Sequence, residues 1–260
     1  MYMHYSMSER KWVVKMAATK KTEQLLEIKP VKMQTVPLRI VGDSPLIVHA
    51  WDAKNKREIL EKDMNITKTK NKDPKNPIEE FAASMYWLNP MPDEITEESI
   101  GIALQSARFG FPLTGIKQAG ISAAYRMGWV KDKMSLRGAF YIEPDAEFYY
   151  GGDLVASFDN KKIIIKPNAV LKYQLVEIHS DAPVMREDMV RIGMGTSDVR
   201  YRGEYNNWHI DFRLKFNTNG KFTLEQIINI INAGGAVCGI GEWRPERDGQ
   251  YGMYHVEANA

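Results

Sequence analysis

The sequence has 260 residues, of which 44% are hydrophobic and 26% are charged, a composition typical of globular proteins. Its net charge of only +2 excludes a chain that is basic throughout, so attraction for nucleic acid has to come from a local patch. The single cysteine, Cys238, excludes an internal disulfide and a thiolate-rich zinc site, and no apolar run approaches the roughly 18 residues of a membrane span. We therefore expect a cytoplasmic protein without membrane contact.

Residues 1–33 are predicted to be a flexible N-terminal tail, followed by a single α+β domain over 34–260. Met16 begins a stretch that resembles an ordinary translation start, so the sequence leaves open whether residues 1–15 are native. The domain opens with a predicted strand over 35–41. Pro37 cannot donate a ladder hydrogen bond, which favours an edge position or the start of the strand.

A helical region is predicted to be inserted at about 52–130. Its helices are predicted to span 54–64, 78–88, 96–108 and 115–127. Within the region, the segment at about 66–77 has almost no apolar side chains, so burial cannot compensate its ordering entropy and we predict a mobile basic loop. The candidate phosphate ligands in this loop are Lys68, Lys70 and Lys72. A solvated loop without a function is an equally good interpretation.

Strands are predicted over 135–142, 161–165 and 173–178, and a segment rich in arginine and aromatic residues follows at 185–208. Arginine forks bind phosphate and aromatic rings stack on bases, which is the combination that a groove for single strands needs. The candidate contacts are Arg191, Arg200, Tyr201, Arg202 and Tyr205. The alternative is a segment whose tyrosines cover the edge of the core and whose arginines pair with Glu187, Asp188 and Glu204.

The C-terminal part is predicted to be a strand, a helix, a glycine-rich loop and a last strand. Apolar and polar residues alternate strictly over 208–216, which predicts a half-buried strand. Thr223 and Gln226 form a capping box, and Gly234 suits a left-handed helix stop. The glycines of the loop, which allow close backbone approach, are Gly239, Gly241, Gly249 and Gly252. Its candidate ligand contacts are Arg244 and Arg247, while Trp243 is expected mainly to anchor the loop.

This C-terminal pattern resembles the RAMP superfamily of CRISPR backbone subunits and CRISPR RNA-processing endoribonucleases. The resemblance is carried by Gly239-Ile240-Gly241 and by the second glycine pair, Gly249 and Gly252, which is one residue wider than the usual pattern. It covers about the last 50 residues, and segments 38–51 and 239–256 also resemble proteins of tailed phages and prophages. The resemblance implies a ferredoxin-like (RRM-like) antiparallel sheet and a protein that holds single-stranded nucleic acid, often as a filament of identical subunits.

Catalytic residues are less evident in the sequence. Processing members of the superfamily use a histidine after the first strand, which corresponds to His49, and metal-dependent backbone subunits use an aspartate near a loop, for which Asp43 is the candidate. His49 lies between apolar residues, so a packed histidine is the better interpretation, and Asp43 is explained by turn hydrogen bonding. The other histidines lie far apart in sequence without metal-ligand spacing, so we expect no metal and no cofactor.

The favoured function is sequence-tolerant binding of single-stranded DNA or RNA by a self-assembling protein, encoded by a phage and serving DNA replication, recombination or protection. The first alternative is a metal-independent endoribonuclease that uses His49. The second is an interaction protein of phage assembly that binds no nucleic acid.

Overall fold

The computed structural model describes residues 3–5, 12–14, 30–50, 74–143, 150–151, 155–159, 162–166, 170–171, 174–192 and 196–257. The chain divides into two compact units, Met1–Pro30 and Val31–Ala260. In the first unit, β1 (Met3–Tyr5) pairs antiparallel with β2 (Trp12–Val14). The predicted tail otherwise lies outside the described residues up to residue 29, as do the predicted helix over 54–64 and most of the basic loop.

The second unit is α+β, as predicted, and is built on an antiparallel sheet of seven strands within the described residues. Its strands are β3 (Met33–Gly42), β5 (Tyr86–Trp87), β6 (Phe109–Pro112), β7 (Phe140–Glu143), β12 (Leu175–His179), β15 (His209–Asn217) and β16 (Tyr254–Val256). The main path runs β16-β3-β15-β12-β6-β5, and β7 pairs with the far end of β15. The last two strands share one sheet: β15 and β16 both pair antiparallel with β3 and are therefore parallel to each other.

The helices of this unit are α1 (Pro77–Ala83), α2 (Glu97–Leu104), α3 (Leu113–Arg126), α4 (Met134–Arg137) and α5 (Leu224–Ala233). The period of two in β15 buries Ile210 and Phe212 in the same hydrophobic cluster as Ile116 of α3 and Ile227 of α5. Burial of each such side chain stabilises the fold by roughly 1.5–3 kcal/mol. The opposite face of β15 carries its polar residues.

A second sheet is formed by β13 (Val184–Ile192) and β14 (Thr196–Tyr205), which lie between β12 and β15 in the chain, and by β4 (Leu46–Val48) from the N-terminal part. β14 is its middle strand. The segment rich in arginine and aromatic residues at 185–208 therefore consists mainly of a long β-hairpin. The short strand pairs β8 (Tyr150–Gly151) with β11 (Val170–Leu171) and β9 (Val155–Asp159) with β10 (Lys162–Lys166) complete the described strands.

Some predicted boundaries are wrong for identifiable reasons. The helix predicted over 78–88 ends at Ala83, because Tyr86 and Trp87 pair with β6. Residues 134–137 are helical, so only the second half of the predicted strand over 135–142 is extended. At Gly234 the backbone stays right-handed and the helix widens into a π-turn, Gly234–Cys238, with the left-handed residue at Gly239.

Candidate nucleic-acid interface

The arginines of the β13–β14 hairpin are held by acidic neighbours. Arg186 contacts Asp188 at 2.7 Å and Glu204 at 2.7 Å, and Arg202 contacts Asp188 at 3.1 Å. Arg202 and Asp188 are both buried. Removing one partner of a buried pair leaves an uncompensated charge, which costs about 3–5 kcal/mol, so Arg202 is a structural residue in this conformation.

The two candidate tyrosines of the hairpin differ in accessibility. Tyr205 is fully buried, and burial raises the pKa of its hydroxyl far above the ordinary value. Its ring packs edge-on against Phe109, with 5.6 Å between the ring centroids. Tyr201 is half-buried against the core. A base therefore cannot stack on Tyr205 in this fold, and the sequence alternative, in which tyrosines cover the core edge, describes it better.

The hairpin as a whole carries no excess of positive charge. Residues 184–205 contain four arginines and four acidic residues, a net charge of zero. Arg200 contacts Asp198 at 2.8 Å, and Lys75 bonds to the same carboxylate. Arg191 is exposed and forms no ion pair with an acidic residue of the described chain. The structure thus pairs Arg186, Arg200 and Arg202 of the hairpin with acidic side chains and leaves Arg191 without one among the described residues.

The glycines of the C-terminal loop make close approaches to the chain itself. A Cβ at Gly241 would lie 2.4 Å from the carbonyl oxygen of Ile47, and one at Gly249 would lie 1.7 Å from that of Trp243. The Gly252 amide donates to the carbonyl of Pro45 at 2.8 Å, which ties the loop to the turn before β4. The glycines therefore allow the loop to approach the β4 region and its own backbone closely.

The loop arginines lie beside the end of α3. Arg244 and Arg126 both contact the Glu246 carboxylate, at 3.1 and 3.2 Å. Arg247 is exposed. Residues 239–252 nevertheless contain two arginines and three acidic residues, a net charge of −1, so the loop as a whole carries no excess of positive charge.

The two catalytic candidates, His49 and Asp43, have different partners. The Nε2 atom of His49 lies 3.5 Å from Nη1 of Arg200, whereas Asp43 contacts Nδ1 of His255 at 2.6 Å. His49 is half-buried, as its apolar neighbours predicted. Lys68, Lys70 and Lys72 lie outside the described residues.

A surface that was not predicted from the sequence follows α3. It exposes three aromatic rings, those of Tyr125 (48% exposed), Trp129 (49%) and Tyr141 (47%). We call this the aromatic-basic surface, and its basic members are Lys117, Lys131, Lys133 and Arg137. Lys117 Nζ lies 4.7 Å from the centre of the Tyr141 ring and bonds to the carbonyl of Arg137 at 2.8 Å. Lys133 Nζ lies 5.6 Å from the Tyr125 ring centre, so lysines and rings are spatial neighbours.

The charge of this surface is not neutralised. Arg126 at the end of α3 pairs with Glu246, but residues 127–141 contain three further basic residues and the single acid Asp132, a net charge of +2. None of its basic members pairs with an acidic side chain of the described chain; Lys117 and Lys133 instead bond to the Arg137 carbonyl and to Ser122. Burial lowers the pKa of Lys117. Unpaired cations beside exposed rings are the arrangement that binds the backbone and bases of a single strand.

The sequence contained the signal for this surface. Aromatic and basic residues interleave over 125–141 as they do over 185–208, and only a count of acidic residues separates the two segments. The predicted helix over 115–127 and the predicted strand over 135–142 gave no indication that the turn between them is exposed.

Within the described residues, no helix is long and apolar enough to cross a bilayer. No protein-family model matches the chain, and no curated protein matches it significantly.

Proposed function

We propose that this protein binds single-stranded nucleic acid with little sequence preference through the aromatic-basic surface. The observation that carries the proposal is the net charge of +2 over residues 127–141 beside three half-exposed rings. Phosphate contacts by unpaired lysine and arginine release counterions, and stacking on aromatic rings tolerates any base because every base has a π-face. Arginines already bound to carboxylates, as in the hairpin, would have to exchange one anion for another.

The fold is compatible with the proposal. The strand order β16-β3-β15-β12, with every neighbouring pair antiparallel and helices α3 and α5 in the two crossovers, supports a ferredoxin-like assignment. In this interpretation the β13–β14 hairpin and the strands β5, β6 and β7 are additions to the basic four-stranded sheet. The glycine-rich loop before β16 is the remaining support for a RAMP-like protein, and self-assembly enters the proposal through that resemblance.

The proposal is tested by fluorescence anisotropy with labelled oligo-dT and oligo-U of 20 nucleotides. Wild type should bind both, and three phosphate contacts would lower the affinity about 10- to 20-fold between roughly 50 and 200 mM salt. The double variant Lys131→Glu/Arg137→Glu should lose at least about tenfold in affinity. Both residues are exposed, so the fold should tolerate the change.

The matched control is Arg191→Glu, which reverses an exposed charge on the hairpin. It should bind nearly as tightly as wild type. The reverse order of effects would move the interface to the hairpin, and absence of binding by wild type would favour the assembly protein without nucleic acid. Denaturing gels of the same mixtures test the nuclease alternative: metal-free RNA cleavage that is lost in His49→Ala would overturn the proposal of binding alone.

A further inference from the structure

The polar face of the large sheet brings together two histidines that are far apart in sequence. His179 of β12 and His209 of β15 are direct cross-strand partners, and their rings stack with 4.8 Å between the centroids. Asp211 follows two residues after His209 and therefore projects from the same face. One potential ligand atom from each of the three residues lies within 4.8 Å of the others. No metal site was expected from the sequence because the histidines lie far apart along the chain. The register of the sheet places two of them side by side.

The chemistry of these side chains is that of a transition-metal site. Imidazole nitrogen and carboxylate oxygen are common ligands of Zn²⁺, and three protein ligands leave a fourth position for water or another ligand.

Arg39 is the one feature that opposes a cation here. Its guanidinium bonds to both oxygens of Asp211, at 2.7 and 3.0 Å, and also lies 3.7 Å from Glu257. A carboxylate offers about four lone-pair positions, so the Arg39 fork leaves acceptor capacity on the Asp211 side that faces Nε2 of His179 at 4.0 Å. Glu257 places a second negative charge beside the Arg39 guanidinium. The side chain of His179 is 42% exposed, which gives solvent access to the site, and His209 borders a depression of about 370 Å³.

We propose that His179, His209 and Asp211 bind one divalent first-row transition-metal ion, with Zn²⁺ as the best match. The ion would bridge β12 and β15, whose ladder consists only of the pairs Ile178–Ile210 and His179–His209 because β7 takes the rest of that edge of β15. Metal binding would therefore reinforce a short strand junction of the main sheet. The proposal is independent of nucleic-acid binding.

The test is titration calorimetry of untagged, full-length, metal-stripped protein with ZnCl₂, with Co²⁺ absorption as a report of ligand geometry. Wild type should bind one equivalent of Zn²⁺ per chain. At a free Zn²⁺ concentration 100-fold above Kd, the melting temperature should rise by roughly 5 to 10 °C. His209→Ala should weaken binding at least about tenfold, because even the loss of a group that only orients a ligand costs about 10- to 100-fold.

The matched control is His255→Ala, because His255 lies on the same sheet face in register with His209 across β3 but contacts Asp43 instead. It should retain the wild-type affinity and the Zn²⁺-dependent rise in melting temperature. The isosteric variant Asp211→Asn serves as the second ligand variant if His209→Ala fails to fold, and it should also lose the rise. The proposal is overturned by the absence of stoichiometric binding, by tight binding in the ligand variants, or by an equal loss in His255→Ala.

Discussion

Trp129 shows at the scale of a single residue how exposure separates binding candidates from core residues. Half of its surface is exposed in a segment of net positive charge, whereas the sequence-predicted Tyr205 is fully buried. The same type of residue, an aromatic beside arginine or lysine, thus has opposite roles in the two segments. Which role applies depends on the burial of the ring, which local sequence alone does not determine.

Replacement of Trp129 by alanine should weaken single-strand binding by a factor of about 5 to 150, since a stacked base contributes about 1–3 kcal/mol. Trp129→Phe should recover part of the affinity because it retains a π-face. Met134→Ala removes another exposed side chain of the same segment and should have little effect. Anisotropy with oligo-dT measures all three. Equal affinities for Trp129→Ala and wild type would remove the ring from the interface.

Gly252 tests the structural role that we assign to the glycine-rich loop. Its φ is +64°, and a Cβ there would lie 1.8 Å from the carbonyl oxygen of Ile240. Gly252→Ala should therefore lower the free energy of unfolding by at least about 2 kcal/mol, from backbone strain and displacement. Gly101→Ala is the control, because no other part of the described chain beyond its own helix lies within 4 Å of the added Cβ. Alanine also stabilises helix α2 relative to glycine by roughly 0.5–1 kcal/mol. Urea unfolding of both variants decides the point, and a neutral Gly252→Ala would contradict the assignment.

At the scale of elements, β14 is joined to the start of α1 through Asp198. Lys75 bonds to the Asp198 carboxylate and to the carbonyl of Val199 at 2.6 Å, and Arg200 contacts the same carboxylate at 2.8 Å. The hydrogen bond from Lys75 is the main cause that lowers the pKa of Asp198. Asp198 and Arg200 lie two residues apart on β14 and so share one face, and the packing of α1 against β14 brings Lys75 to them.

A lowered carboxyl pKa in the folded state has a defined effect on stability. The stabilisation by Asp198 is fully present above the unfolded pKa of about 3.9 and is lost as the pH falls through the lower folded value. Asp198→Asn should therefore be less stable than wild type at pH 7, and the difference should shrink below about pH 4. Urea unfolding between pH 3 and 7 measures this. A constant difference across that range would show that Asp198 does not act through its charge.

The hairpin illustrates which part of an element was predictable. Arginines and acidic residues of 184–205 were both visible in the sequence, and their pairing was one of two interpretations. The choice between the two interpretations depended on the register of the strands. Arg186 of β13 lies opposite Arg202 of β14, and Asp188 of β13 accepts hydrogen bonds from both arginines. The register of a hairpin is set by the type and length of its turn, and neither was predicted for this segment, so the neutralised surface could not be deduced from the spacing of residues alone.

At the scale of the whole molecule, the most regular patterns predicted the topology best. The alternation in β15 and the capping box at Thr223 predicted the strand and the helix that follows it. The metal-site candidate could not be predicted in this way. His179 and His209 become neighbours only because β12 pairs with the start of β15, a long-range contact that no local pattern encodes.

The central claim, that single strands bind on the aromatic-basic surface, is tested most directly by ultraviolet cross-linking to oligo-dT followed by mass spectrometry of the cross-linked peptides. Cross-links should map to Tyr125, Trp129 and Tyr141, and excess unlabelled strand should suppress them. Cross-links concentrated at Tyr201 on the hairpin, with none over residues 125–141, would contradict the claim.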